Sequence, residues 1–134
     1  MNVKIVRSSL GRTNPLIAVV DDDPSMVRML RRALSVEGLD VDSFGSAEEF
    51  LDADCSEYAC LILDVDLPGM SGVNLQKNLI EAGTDVPVIF MSGECDEATR
   101  LHVLKAGAAA FFRKPFNIEP LLAAVRSVAC LMIS

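Results

Sequence analysis

The stretch "LILDVDLPGMSG" at residues 61–72 decides the fold. It begins as a short continuous apolar run, which is typical of a strand that is buried on both faces. The run ends in Asp64 and Asp66 and then breaks into a segment of proline and glycine, which favour turns. A carboxylate at the tip of a buried strand, directly before a turn, indicates a functional site at that tip.

Similar units lie on both sides of this stretch. Apolar or partly apolar runs predict strands at residues 16–20, 39–44, 59–64, 86–92 and 108–114, and a helical pattern follows each of them. This alternation predicts an α/β fold, a parallel five-stranded sheet with five helices on its two faces in three α/β/α layers. The partly polar second strand suits a sheet edge. The chain length favours one domain, residues 15–134, after a flexible lead-in at 1–14.

Composition excludes several classes of function. The chain has 19 acidic and 12 basic residues and a net charge of −7, which disfavours direct binding to nucleic acid. No apolar run approaches the ~20 residues that span a bilayer, and "LIAVV" is too short for a signal peptide, so a cytoplasmic location is expected. Four cysteines without a C-x-x-C pair, together with a single histidine, disfavour a zinc site. The cysteines are predicted to be core residues, although the polar segment around Cys95 also suits an exposed thiol.

Polar side chains stand at the carboxyl ends of four predicted strands, where ligands bind in sheets of this kind. They are Asp21, Asp22, Asp64, Ser92 and Lys114. A single aspartate after a strand is more often a helix cap, and Asp23 suits that role. Five matched positions at successive strand ends are hard to obtain by chance and favour a site.

The residue types suggest the chemistry. Clustered carboxylates with room for waters and a phosphoryl oxygen suit Mg²⁺. Asp64 could then attack phosphorus and form an aspartyl phosphate. Lys114 and the Ser92 hydroxyl could stabilise the phosphoryl oxygens, and Gly93 would let the backbone approach them closely.

The motifs resemble the receiver domain of bacterial two-component response regulators. The resemblance covers about residues 15–132 and rests on "VVDDDPSMVRMLRRAL", "LILDVDLPGMSG", "VIFMSG" and "KAGAAAFFRKPF", in the order and spacing of that family. The detail of "PGMSG" is similar to receivers of nitrogen-fixation-type transcription regulators. The resemblance implies a flavodoxin-like, doubly wound sheet of strand order 2-1-3-4-5.

The resemblance also implies roles around the phosphoacceptor. Asp64 would be the phosphoacceptor, and Asp21 and Asp22 would be the acidic pair, with Asp22 as a direct Mg²⁺ ligand. The backbone carbonyl of Asp66 would complete the protein ligands. Lys114 would contact the phosphate through its ammonium group.

A conformational switch is implied as well. Ser92 would move to the phosphate, Phe111 would turn inward behind it, and the peptide before Pro115 would be cis. The surface of the fourth helix, fifth strand and last helix would then change shape. Implied partners are a sensor histidine kinase and an output domain or second copy that controls transcription. No conventional turnover enzyme is expected, only slow self-dephosphorylation.

Two departures from the commoner pattern leave questions open. Ser92 stands where threonine is more usual, which keeps the hydroxyl and loses a methyl group. The side chains of Asp66 and Glu94 face either the site or solvent. If they face the site, the pocket is unusually anionic, which predicts tight Mg²⁺ dependence and an altered aspartyl-phosphate lifetime.

Three alternatives compete with this interpretation. "LDVDLPG" also resembles the D-x-D motif of haloacid-dehalogenase-type phosphatases, although there the motif lies near the N-terminus and further acids follow it. A nucleotide-binding module would need a glycine-rich first turn, where this chain has "DDDPS". A receiver-like interaction module that is not phosphorylated is disfavoured by the complete set of site residues.

Overall fold

The computed structural model describes residues 14–54, 57–94 and 96–133, with side chains to residue 129. Within these ranges five strands alternate with five helices. The strands are β1 (Leu16–Val20), β2 (Asp40–Phe44), β3 (Cys60–Asp64), β4 (Val88–Ser92) and β5 (Ala110–Arg113). The helices are α1 (Pro24–Val36), α2 (Ala47–Leu51), α3 (Gly72–Glu81), α4 (Glu97–Lys105) and α5 (Ile118–Ile133). The lead-in predicted at 1–14 lies almost wholly outside the described residues.

All strand pairs are parallel, and the order is β2-β1-β3-β4-β5. The predicted doubly wound sheet is therefore confirmed. β1, β3 and β4 are buried along their whole length, whereas β2 is mostly half-buried at the sheet edge, as expected from its polar residues.

The predicted strand limits are too generous by one or two residues. β4 and β5 each begin two residues later than predicted, and β5 ends one residue earlier. Apolar residues just before a strand can belong to the preceding helix end, as the Ala108 amide shows by donating to the Val103 carbonyl of α4 (3.0 Å). Hydrophobicity marks burial in such places, not the start of the strand ladder.

Two hydrophobic clusters cover the two faces of the sheet. Alternate residues of each central strand enter opposite clusters, as the pleat requires, so that Ala18 and Val20 face one side and Ile17 and Val19 the other. The first cluster takes residues from α2, α3 and α4, and the second takes residues from α1 and α5. The three layers are thus confirmed.

Cys60 lies in the core, and burial raises the pKa of its thiol to about 12, so the core role predicted for it is confirmed. The same prediction for Cys55, Cys95 and Cys130 falls on residues or side chains outside the described set. No described helix has both the length and the apolar character needed to cross a membrane.

Side-chain caps start the helices close to the strand ends. Asp23 accepts a hydrogen bond from the Ser25 amide, as predicted for the N-cap of α1 (3.0 Å). Ser46, Ser71 and Asp96 do the same for α2, α3 and α4. The strand-to-helix turns at the carboxyl edge of the sheet are therefore short and fixed, which positions the side chains that they carry.

Candidate functional site

Asp64 is the last residue of β3 and is only 3% exposed. The chain leaves it through a tight turn that closes when the Gly72 amide donates to the Val65 carbonyl (3.1 Å). A Cβ atom at Gly72 would lie 2.4 Å from the Asp64 carbonyl oxygen, so only glycine fits there. The glycine that begins α3 therefore fixes the backbone that carries the Asp64 carboxylate.

Two further carboxylates lie beside Asp64. Asp21 and Asp22 follow β1, and one carboxylate oxygen from each of the three residues falls within 4.8 Å of the others. Asp21 is 2% exposed and accepts a hydrogen bond from the Asp23 amide (2.9 Å), whereas Asp22 is exposed. The predicted convergence of these three acids is present in the structure.

Lys114 closes the cluster from the opposite side. Its Nζ lies 3.0 Å from Asp21 Oδ2 and 3.2 Å from Asp64 Oδ2. Its amide donates to the Ser92 carbonyl (2.8 Å), which holds the residue just beyond β5, and the Lys114–Pro115 peptide is cis, as expected. One ammonium against three carboxylates leaves two negative charges, which matches a divalent cation.

The charges shift the ionisation of both central groups. Burial, and secondarily the charge of Asp21, raises the pKa of Asp64, although the Asp66 amide and Lys114 act in the opposite direction. Burial alone would lower the pKa of Lys114, but its hydrogen bonds to Asp21 and Asp64 and their charges outweigh burial and raise it. The surroundings of Asp64 therefore disfavour its ionised form, and those of Lys114 favour its charged form.

Replacing Asp64 by asparagine should stabilise the metal-free protein at pH 7. A raised pKa in the folded state means that the protonated form is favoured, so stability is lost as pH rises through that pKa. We expect Asp64→Asn to raise the melting temperature at pH 7. The difference should vanish near pH 3, where wild-type Asp64 is protonated in both states. Thermal unfolding at the two pH values checks this, and a lower melting temperature at pH 7 would contradict it.

Ser92, the last residue of β4, is 1% exposed. Its hydroxyl donates to Asp66 Oδ2 (2.8 Å), and the Gly93 amide donates to the same oxygen (3.2 Å). The Asp66 amide donates in turn to Asp64 Oδ1 (3.0 Å). The open question about Asp66 is thereby answered, because its carboxylate faces the site and contacts the Ser92 hydroxyl. Glu94 is exposed, and only its amide contacts Ser92 (3.3 Å).

Phe111 lies on β5, opposite Phe90 of β4, and is partly buried against the first hydrophobic cluster. It is thus one strand away from Ser92, on the side of the sheet that α4 covers. His102 is exposed on α4.

One contact near the site was not predicted. Glu48 of α2 accepts a hydrogen bond from the Met70 amide through Oε2 (3.0 Å), and this bond lowers the pKa of Glu48. It ties the turn after β3 to the neighbouring helix, next to Gly69, whose φ is +75°. Residues 48 and 70 are 22 positions apart in sequence, and Glu48 belongs to none of the quoted motifs, so no local signal points to the contact.

An acidic pocket at the carboxyl edge of a five-stranded parallel sheet, with a lysine just beyond β5, is the arrangement that a response regulator receiver requires. The family model described as the response regulator receiver domain matches residues 17–126. The chain therefore belongs to the response regulator receiver family.

Individual relatives agree with this assignment. The response regulator protein TodT of Pseudomonas putida is 43% identical over 113 residues, which cover 84% of this chain and 50% of TodT. The transcriptional regulatory protein FixJ of Azorhizobium caulinodans is 38% identical over 112 residues, 83% of this chain and 53% of FixJ. The structure of the response regulator StyR superimposes with a TM-score of 0.82 at 36% identity, over 89% of this chain and 61% of StyR.

The chain spans about half the length of the curated relatives it matches. The resemblance to nitrogen-fixation-type regulators is confirmed by FixJ, and the chain is a receiver domain of the kind found in transcriptional regulators. Receiver domains of this family serve as phosphoacceptors in two-component signalling and are generally not turnover enzymes.

Proposed function

We propose that Asp64 is the residue of this receiver that accepts the phosphoryl group. The observation that carries the proposal is the position of the Asp64 carboxylate, at a buried strand tip between the Asp21 and Asp22 carboxylates and the Lys114 ammonium. A carboxylate in this position can act as the nucleophile, and the neighbouring charges can stabilise the group that it receives.

The reaction is the transfer of a phosphoryl group from a donor atom to a carboxylate oxygen. An Asp64 carboxylate oxygen bonds to phosphorus while the bond from phosphorus to the donor breaks, and the donor keeps the electron pair. With acetyl phosphate the leaving group is acetate. The Lys114 ammonium would contact the negatively charged oxygens of the new phosphoryl group, and its fixed backbone keeps it within reach of them.

The residues fit a magnesium ion. Asp21, Asp22 and Asp64 offer hard oxygen ligands, and we propose that the Asp66 backbone carbonyl joins them, with Asp22 the most accessible carboxylate. Mg²⁺, when bound, would offset the repulsion between the acids and the incoming phosphoryl group.

The signal would pass from Ser92 to the surface of α4, β5 and α5. We propose that the Ser92 hydroxyl engages the phosphoryl group and that Phe111, half-buried on β5, turns inward. A change at this surface would be sensed by an output domain or a second copy, and a sensor histidine kinase would donate the phosphoryl group.

The regulators TodT and FixJ are about twice as long as the matched region, which supports a segment beyond this domain in the complete protein. The cytoplasmic location stays a prediction.

The phosphatase alternative needs Asp66 as a general acid for turnover. Here the Asp66 carboxylate accepts hydrogen bonds from Ser92 and Gly93. Steady turnover of a phosphate ester would favour this alternative over the phosphoacceptor.

Incubation with acetyl phosphate and Mg²⁺, followed by intact mass measurement, tests the proposal. We expect one added HPO₃ unit on the wild type and none on Asp64→Asn or in EDTA. Asp52→Asn, at an exposed position after α2, is the control and should keep the adduct. An adduct of equal yield on Asp64→Asn would overturn the assignment.

A further inference from the structure

Asp66 contacts both the proposed phosphoacceptor, Asp64, and the hydroxyl of the proposed switch residue, Ser92. Its amide donates to the Asp64 carboxylate (3.0 Å), and its own carboxylate accepts from the Ser92 hydroxyl (2.8 Å). Its Oδ2 atom also accepts from the Gly93 amide (3.2 Å). Two donors therefore converge on a single anionic oxygen that belongs to the protein itself.

These donors are the kind that an incoming phosphoryl oxygen needs. A hydroxyl and a backbone N–H that converge on one point bind an anionic oxygen well, because hydrogen bonds to charged acceptors are short and strong. The Ser92 hydroxyl has a single proton, which it donates to Asp66, and it accepts a hydrogen bond from the Glu94 amide (3.3 Å). A phosphoryl group on Asp64 could engage Ser92 only after this bond has been broken.

The two ends of the contact differ in how freely they move. Ser92 is 1% exposed at the end of a buried strand, whereas Asp66 is exposed in the turn after β3. The Asp66 carboxylate can therefore rotate into water, where it is well solvated, while its amide keeps the bond to Asp64. The contact is of the kind that an anion can displace.

We propose that the Asp66 carboxylate acts as an internal competitor for the phosphoryl group: it occupies the Ser92 and Gly93 donors in the unphosphorylated protein and must leave when Asp64 is phosphorylated. This inference rests on the proposed function. Asp66 is a positioning residue in this account, since it acts through Ser92. It holds the hydroxyl in the inactive arrangement and weakens the engagement of the phosphoryl group.

Beryllofluoride, an analogue of the phosphoryl group, tests the proposal in the presence of saturating Mg²⁺. Displacement of one hydrogen-bonded carboxylate is worth about a factor of five in affinity. We expect Asp66→Ala to bind beryllofluoride about fivefold more tightly than the wild type. Glu94→Ala is the matched control, because it removes a nearby exposed carboxylate that does not contact the hydroxyl, and its affinity should change less than about twofold.

A double-mutant cycle separates the competition from simple charge repulsion. In a Ser92→Ala background one of the two donors is gone, so the gain from Asp66→Ala should fall to about twofold or less. An equal gain in both backgrounds, or an equal gain from Glu94→Ala, would overturn the proposal in favour of general repulsion. No gain in Asp66→Ala would overturn it as well.

A spectroscopic signal tests the contact itself. In the Mg²⁺-saturated protein without beryllofluoride, loss of the Asp66 carboxylate should move the Gly93 amide proton upfield, and Glu94→Ala should leave it in place. An unmoved resonance would overturn the proposal.

If the wild type binds beryllofluoride and only the Asp66 effects are missing, the proposed function stands without this inference. If the wild type binds none, both are overturned.

Discussion

Gly72→Ala is expected to lose about 3 kcal/mol of unfolding free energy and most of its phosphoacceptor activity. The new Cβ atom would lie 2.4 Å from the Asp64 carbonyl oxygen and 3.0 Å from the Val65 Cα atom, both of which are backbone. Backbone cannot rotate aside as a side chain can, so the turn after β3 has to move. Because Asp64 is part of that turn, its carboxylate would move away from Lys114.

A loss of unfolding free energy would be informative, because alanine forms helices better than glycine and helix propensity alone predicts that Gly72→Ala is stabilising. Urea unfolding at pH 7 measures the loss. Gly93→Ala is the stability control, since nothing lies within 4 Å of a Cβ atom at that position, and we expect a change below about 0.5 kcal/mol. A Gly72→Ala protein as stable as the wild type would show that the turn is not fixed by this close approach.

Lys114→Met is expected to cost about 2 kcal/mol of unfolding free energy at pH 7 and to slow phosphorylation by acetyl phosphate about 100-fold. Asp21 and Asp64 are almost fully buried and would lose the ammonium that contacts both. The stability cost is set below that of a fully buried pair because the Lys114 side chain is 20% exposed.

Arg113→Met, which removes a positive charge from the neighbouring residue, is the control for Lys114→Met. Arg113 is exposed, and its ion pair with Glu97 is long (3.7 Å), so Arg113→Met should change stability by less than about 0.5 kcal/mol. The pKa of Lys114 is raised, so its contribution is complete at pH 7 and is lost only as pH rises through that raised value. Equal losses in the two variants would mean that Lys114 acts through net charge and not through its contacts.

Much of the fold and of the candidate site could be predicted from the sequence. The apolar runs before Asp21 and Asp64 predict strands that are buried on both faces. The regular alternation of strands and helices predicts that neighbouring strands are parallel. Parallel strands share one carboxyl edge, so the convergence of Asp21, Asp64, Ser92 and Lys114 follows from topology alone. These features depend on periodicity and chain order, which a sequence carries directly.

The orientation of surface side chains could not be predicted in this way. Asp66 and Glu94 are both acids two residues beyond a strand end, yet only the Asp66 carboxylate reaches Ser92. The turn that carries Asp66 is held by the local bond to Asp64 and by the bond between Met70 and Glu48, and the second of these is a tertiary contact. A sequence pattern cannot predict tertiary contacts of this kind, because they depend on how separate elements pack.

The central claim is that the phosphoryl group is carried by the Asp64 side chain. After reaction with acetyl phosphate and Mg²⁺, borohydride reduces an aspartyl phosphate to homoserine, which peptide mass spectrometry locates in the chain. The account predicts homoserine at residue 64 in the wild type, dependent on acetyl phosphate. Homoserine at residue 21 or 22, or a phosphorylated protein with residue 64 unreduced, would contradict it.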